Sequence, residues 1–61
     1  MQFNLKKTID NEGMTQSQLA GHLLISKQQV HRWYHGGKMS ERWARDLITF
    51  FKMRKVQIVM N

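Results

Sequence analysis

Thr15-Gln16-Ser17-Gln18-Leu19-Ala20-Gly21-His22-Leu23-Leu24-Ile25-Ser26-Lys27-Gln28-Gln29-Val30-His31-Arg32-Trp33 is the stretch that decides how this chain folds. Thr15 to Gln18 has the form of a capping box. In such a box a hydroxyl at the helix start accepts from the third helical amide, and a Gln or Glu side chain reaches back to the cap. Ser26 to Gln29 repeats the pattern, with Gln29 in the reciprocal role. Met14 with Leu19, and Ile25 with Val30, have the spacing of hydrophobic staples across the two starts. The boxes predict helices over about 16–23 and 27–35, the second stopped by Gly36-Gly37. Only Leu24-Ile25-Ser26 separates them, and so short a connection forces a sharp angle, the helix-turn-helix geometry. Ala20 falls where two such helices cross closely. Leu19, Leu23, Ile25, Val30 and Trp33 supply an apolar inner face.

Working outward, residues 4–12 read as a first helix, with Leu5 and Ile9 on one face and Gly13 as its stop. Asp10 and Glu12 oppose its dipole, so packing rather than charge has to support it. A fourth helix starts at Ser40 as N-cap with Glu41 in its first turn, and runs to about Lys52. Trp43, Leu47, Ile48 and Phe51 form its apolar stripe. Beyond it, Val56, Ile58 and Met60 alternate along a β-branched tail. A short strand and a continuing or fifth helix both fit that tail, and the pattern leaves the two open.

The chain has 61 residues, with ten Lys and Arg against four Asp and Glu, a net charge of +6 and a pI of about 10.4. That is one domain, residues 1–61, too short to wall the deep pocket most enzymes need. There is no cysteine, which excludes disulfides and thiolate zinc sites. A core this thin makes a second chain a natural support. The charge points to polyanions, either nucleic acid or an anionic membrane surface. It is also unevenly placed: no acid occurs between Gly13 and Ser40. No run approaches the roughly 18 apolar residues of a membrane span, and no signal peptide is visible. The expectation is a soluble protein of a bacterial, or bacterial-host, cytoplasm.

The motif residues, namely Thr15 to Ala20, Ile25 to Trp33 and Gly36-Gly37-Lys38, resemble the Cro/C1-type helix-turn-helix family. That family includes lambdoid phage Cro proteins and repressor N-terminal domains. The resemblance covers about residues 4–52, and the chain is similar in length to a Cro protein. It implies a mainly α, lambda-repressor-like helix-turn-helix domain of four or five short helices; a short C-terminal β-strand is one of the two readings of the tail pattern beyond it. One residue departs from the pattern. The family usually has Gly where this chain has Leu24, at a turn position of positive φ. A leucine held there costs about 1 kcal/mol or more of strain.

A helix entering the major groove meets base edges with its N-terminal residues. On the third helix Val30 and Trp33 mark the buried side, so Gln28, Arg32 and His35 lie opposite, flanked by Lys27 and His31. Gln can bond adenine bidentately, and Arg or Lys guanine. By resemblance Lys27, Gln28 and Arg32 occupy the base-reading places, and His31 joins them from its flank. Gln16 and Ser26 match phosphate-anchoring places. Lys38, just past the double glycine, together with His35 and Arg42, completes the expected phosphate contacts. His31 and His35 have a metal-compatible i, i+4 spacing, but with no cysteine or nearby carboxylate neither metal nor cofactor is expected. Tyr34 fits a core edge and a phosphate contact equally well. Trp33 and Trp43 suit the core better than a base-stacking platform.

The resulting expectation is a sequence-specific, double-stranded DNA-binding transcriptional repressor. It would act as a homodimer on a pseudo-palindromic operator with half-sites about 34 Å apart. Residues 53–61 are the candidate dimerisation tail. Two other readings stand beside it. One is an antitoxin-type protein-interaction module with secondary DNA binding. The other is an amphipathic membrane-surface peptide, which the two capping boxes oppose because they favour folding in water. No residue pattern suggests an enzyme or a small-molecule substrate.

Overall fold

A computed structural model describes residues 3–60. The architecture is a small all-α domain of four helices: α1 (Leu5–Glu12), α2 (Gln16–Leu23), α3 (Lys27–Tyr34) and α4 (Glu41–Met53). Each start is held by a side chain. Asn4 Oδ1 accepts from the Lys7 amide at 2.9 Å, so Asn4 is the cap of α1 rather than its first residue. At α2 the full box forms: Gln18 N–H donates to Thr15 Oγ1 at 3.1 Å, and Thr15 N–H donates to Gln18 Oε1 at 2.9 Å. At α3 only half of the expected box is present. Ser26 Oγ accepts from the Gln29 amide at 3.2 Å, but the half-buried Gln29 side chain makes no return bond. Ser40 Oγ caps α4 through the Trp43 amide at 3.2 Å.

The helix ends share one geometry. At each, a residue in the left-handed region reverses the chain: Gly13 (φ 69°), Leu24 (φ 57°), Gly36 (φ 88°) and Lys55 (φ 58°). The next amide then bonds back five residues: Met14 to Ile9 at 2.9 Å, Ile25 to Ala20 at 3.1 Å, Gly37 to Arg32 at 2.8 Å and Val56 to Phe51 at 2.8 Å. This is the Schellman closure, which satisfies carbonyls the helix leaves open. Met14, Ile25 and Val56 thereby turn inward onto the core. Gly37 has a different reason to be glycine. A Cβ there would lie 2.6 Å from both Arg32 Cγ and the Arg32 carbonyl oxygen.

The core is Leu5, Ile9, Leu19, Ala20, Val30, Trp33, Leu47, Phe51 and Val56. Trp43 packs on its edge, ring centroid 5.3 Å from that of Trp33. On α4 the buried residues are Ala44, Leu47 and Phe51. Ile48, expected in that stripe, is instead only half-buried and off the core cluster, because the buried stripe of α4 runs through Ala44, Leu47 and Phe51 and leaves Ile48 on its shoulder.

The tail is extended, and neither a continuing nor a fifth helix forms among the described residues. The closure at Lys55 is the reason: it ends α4 and drives Val56 into the core. A single antiparallel bridge joins Phe3 to Met60, and the Asn4 amide donates to the Val59 carbonyl at 2.9 Å. One edge of the expected tail strand is therefore taken by the chain's own beginning. Behind the bridge sits Thr8, fully buried and unforeseen from the sequence. Its hydroxyl donates to the Asn4 carbonyl at 2.7 Å and accepts from the Val59 amide at 3.0 Å.

Two substitutions test these features. Leu24→Gly relieves a strained leucine that buries nothing, since its side chain is 91% exposed. The expected gain is about 0.5–1 kcal/mol after the extra chain entropy of glycine, a rise in Tm of about 2–8 °C by calorimetry. Thr8→Val keeps the volume but strips Val59 of its acceptor. It should cost about 1–3 kcal/mol and speed hydrogen exchange at the Val59 amide before the helices are affected.

Candidate nucleic-acid interface

α3 is an eight-residue helix with one apolar side. Val30 and Trp33 are buried, and Lys27, Gln28, His31 and Arg32 are all exposed, as the sequence leads one to expect. The Arg32 backbone is held from behind by the bond from Gly37, while its guanidinium makes no hydrogen bond among the described residues. Lys38 is exposed just past the two glycines. His35 is the exposed C-cap of α3, its ring 4.3 Å from that of His31 by centroids. Among the described residues no three potential ligands gather into a metal site, so the two imidazoles stand as a pair without a third.

α2 meets α3 through its first residue. Gln16 Oε1 lies 3.1 Å from His31 Nδ1. Thr15, Gln16, Ser17, Lys27 and His31 line one hollow between the helices, and Lys27, Gln28 and His31 line a second on α3 itself. The Gln16 backbone amide sits in the first turn of α2, where open N–H groups favour an anion. Exposed Ser26 accepts from the Gln29 amide, which leaves its own O–H free to donate outward. The structure thus brings Gln16, Lys27, Gln28 and His31 together on the α2–α3 surface, with Ser26 at the start of α3 and Arg32 one turn on from Gln28.

Arg42 lies elsewhere. It is exposed on α4 and shares a shallow hollow with Glu41, Arg45 and Asp46, two acids against two bases. That local balance weakens its expected role as an anion clamp. Arg54 donates to His22 Nδ1 at 3.2 Å and lies 5.1 Å from the centre of the Phe50 ring, so it braces α4 against α2.

Tyr34 resolves to the core edge, as a tie between α3 and α1. Its O–H donates to the Asp10 carboxylate, 2.9 and 3.1 Å from the two oxygens, and Lys6 Nζ sits 5.5 Å from its ring centre. Asp10 also pairs with Lys6 at 3.3 Å. An acid near a helix C-terminus opposes the helix dipole. Its purpose is visible only once α3 is alongside. The exposed Asp10 carboxylate is thereby engaged by Tyr34 and Lys6.

No protein family, curated protein or solved structure matches the chain. Among the described residues no helix is long and apolar enough to cross a membrane.

The hydrogen bond to Asp10 holds the Tyr34 phenol above its ordinary 10.0, aided by partial desolvation and by the carboxylate charge, with Lys6 acting the other way. A raised folded value means the neutral phenol is the stabilised form. The tie is therefore complete below pH 10 and is lost as pH climbs through the raised value. Ultraviolet titration should show Tyr34 ionising later than free tyrosine. In Asp10→Asn the curve should move back toward the free value.

Proposed function

We propose that this protein is a sequence-specific double-stranded DNA-binding repressor whose α2–α3 pair is a helix-turn-helix. The observation that carries the reading is the solvent side of α3. Lys27, Gln28, His31 and Arg32 stand side by side on a helix anchored by only two buried side chains, and the sequence has no acid from Gly13 to Ser40. These are the side-chain types that pair with adenine and guanine edges in the major groove, and a short helix presented outward is the element that fits it. Backbone amides at the α2 start, with Gln16, Ser26, Lys38 and His35 around the edge, suit the flanking phosphates. Arg42, balanced by its acidic neighbours, would add least.

One such helix reads only a few base pairs, so specificity favours two copies on a near-palindromic site. Met53 and Met60 are large apolar side chains left 80% and 51% exposed. They support a contact between copies at the tail end of the molecule. Simple occupancy of the operator would then exclude other proteins from it. An antitoxin-type role finds no separate support in the fold, and co-purification of a stoichiometric protein partner would bring it back.

The test begins with selection of bound duplexes from a random pool, which returns half-site, spacing and symmetry together. Arg32→Ala should relax preference at particular base positions, by about 1–3 kcal/mol, with stability nearly unchanged. Lys38→Ala should weaken binding to all sequences alike and lower the salt slope by about one unit. Wild-type sequence preference in Arg32→Ala would remove α3 from the groove. Native mass spectrometry of the selected complex should find two chains per duplex, and one chain at saturation would remove the dimer.

A further inference from the structure

The Gln16–His31 contact fixes more than a side-chain position. In the orientation its amide takes, Gln16 places Oε1, a carbonyl oxygen that can only accept, 3.1 Å from Nδ1, and that pairing calls for the proton on Nδ1. A neutral imidazole holds one N–H, which leaves Nε2 with a free lone pair. Among the described residues no hydrogen bond occupies that nitrogen. His31 lines both hollows of the α2–α3 surface. With Nδ1 turned to Gln16 in the first, Nε2 lies across the ring, away from α2.

Among the neighbours only the amide of Gln28, in the second hollow, also offers an acceptor, and it carries donors as well. Lys27 and Arg32 carry only donors, the residues at the α2 start (Thr15, Gln16 and Ser17) are uncharged, and His35 meets the ring by a tilted 4.3 Å contact without a hydrogen bond. In the major groove, hydrogen-bond donors come from two groups only, the exocyclic amino groups of cytosine (N4) and adenine (N6). Resting on the DNA-binding reading above, we infer that Gln16 is a positioning residue that locks the His31 tautomer. Through that lock, His31 is a specificity residue, accepting from cytosine N4 or adenine N6 on the strand it faces. Guanine and thymine present acceptors at that edge and are disfavoured there. Released from Gln16, the ring can instead carry its proton on Nε2 and donate, which favours guanine or thymine.

Two measurements separate the parts. Nitrogen NMR of the free protein, with its imidazoles neutral, should show His31 protonated on Nδ1, and Gln16→Met should lose that signature while keeping its circular dichroism. A wild-type ring protonated on Nε2 overturns the inference with no reference to DNA. In duplex selection, wild type should favour adenine or cytosine at one position by about tenfold. Gln16→Met should lose or reverse that preference at that position alone, and Gln16→Glu, which still accepts from Nδ1–H, should keep it, despite weaker overall binding, when selection is run at a pH where NMR shows its His31 ring neutral. An Nδ1–H ring whose base preference survives Gln16→Met overturns the specificity role. Failure of wild type to select any sequence overturns the DNA-binding reading and the base-reading role with it, while the tautomer lock stands on the NMR.

Discussion

A chain of 61 residues that makes four helices has almost nothing left for connections, and the fold depends on how cheaply it can turn. The Schellman closure answers that constraint four times. Each one ends a helix within two residues, satisfies carbonyls that would otherwise be open, and aims the following residue. Three of those following residues, Met14, Ile25 and Val56, go into the core. Met14 and Ile25 also immediately precede the caps Thr15 and Ser26, so one apolar side chain serves the end of one helix and the start of the next. With this economy, helices of eight residues, which are unstable alone in water, can hold one another.

α3 shows what such economy permits. Val30 and Trp33 are its buried residues, Gln29 and Tyr34 are half-buried, and Lys27, Gln28, His31 and Arg32 are released from packing. Leu19 and Ala20 of α2 lie in the same core, while Tyr34 ties α3 to α1 through Asp10. The helix is thus gripped along one side and braced at its C-terminal end. A surface built from long, flexible cations gains from such a mount, because a rigid backbone leaves only side-chain entropy to be lost when a ligand binds.

The helices were largely legible because their starts depend on local chemistry. Thr15, Ser26 and Ser40 bond to amides three residues on, and no distant contact is needed to expect that. Glycine marked the ends at Gly13 and Gly36, and the closeness of the next cap at Ser26 placed the end of α2 at Leu23. Leu24 and Lys55 adopt the same left-handed geometry without that marker. For Leu24 the family resemblance flagged the position. For Lys55 nothing did, and the tail therefore stayed ambiguous between strand and helix. Thr8 was invisible for a related reason, since its burial exists only because Val59, fifty-one residues on, comes back to it. Ile48 was misplaced because a 3.6-residue period fits several neighbouring faces, and choosing Ala44 instead requires knowing what lies opposite. On the candidate interface, exposure of Lys27, Gln28, His31 and Arg32 followed from the helical wheel. The bond between Gln16 and His31 did not, because it joins two helices at an angle that no spacing encodes.

The Phe3–Met60 bridge has a topological consequence. It brings the two extremities of the described chain opposite one another, with the Asn4–Val59 bond and the Thr8 hydroxyl fastening them. In space, α4, the tail and α1 therefore follow one another as continuously as α2 and α3 do in sequence. The molecule is close to a ring, in which a supporting arc and an outward-facing arc alternate. Joining residue 3 to residue 60 through a short linker would complete that ring without asking any helix to move. A circular backbone of this kind removes the freedom of the ends from the unfolded state, the same entropy a disulfide would remove, in a protein that has no cysteine to make one.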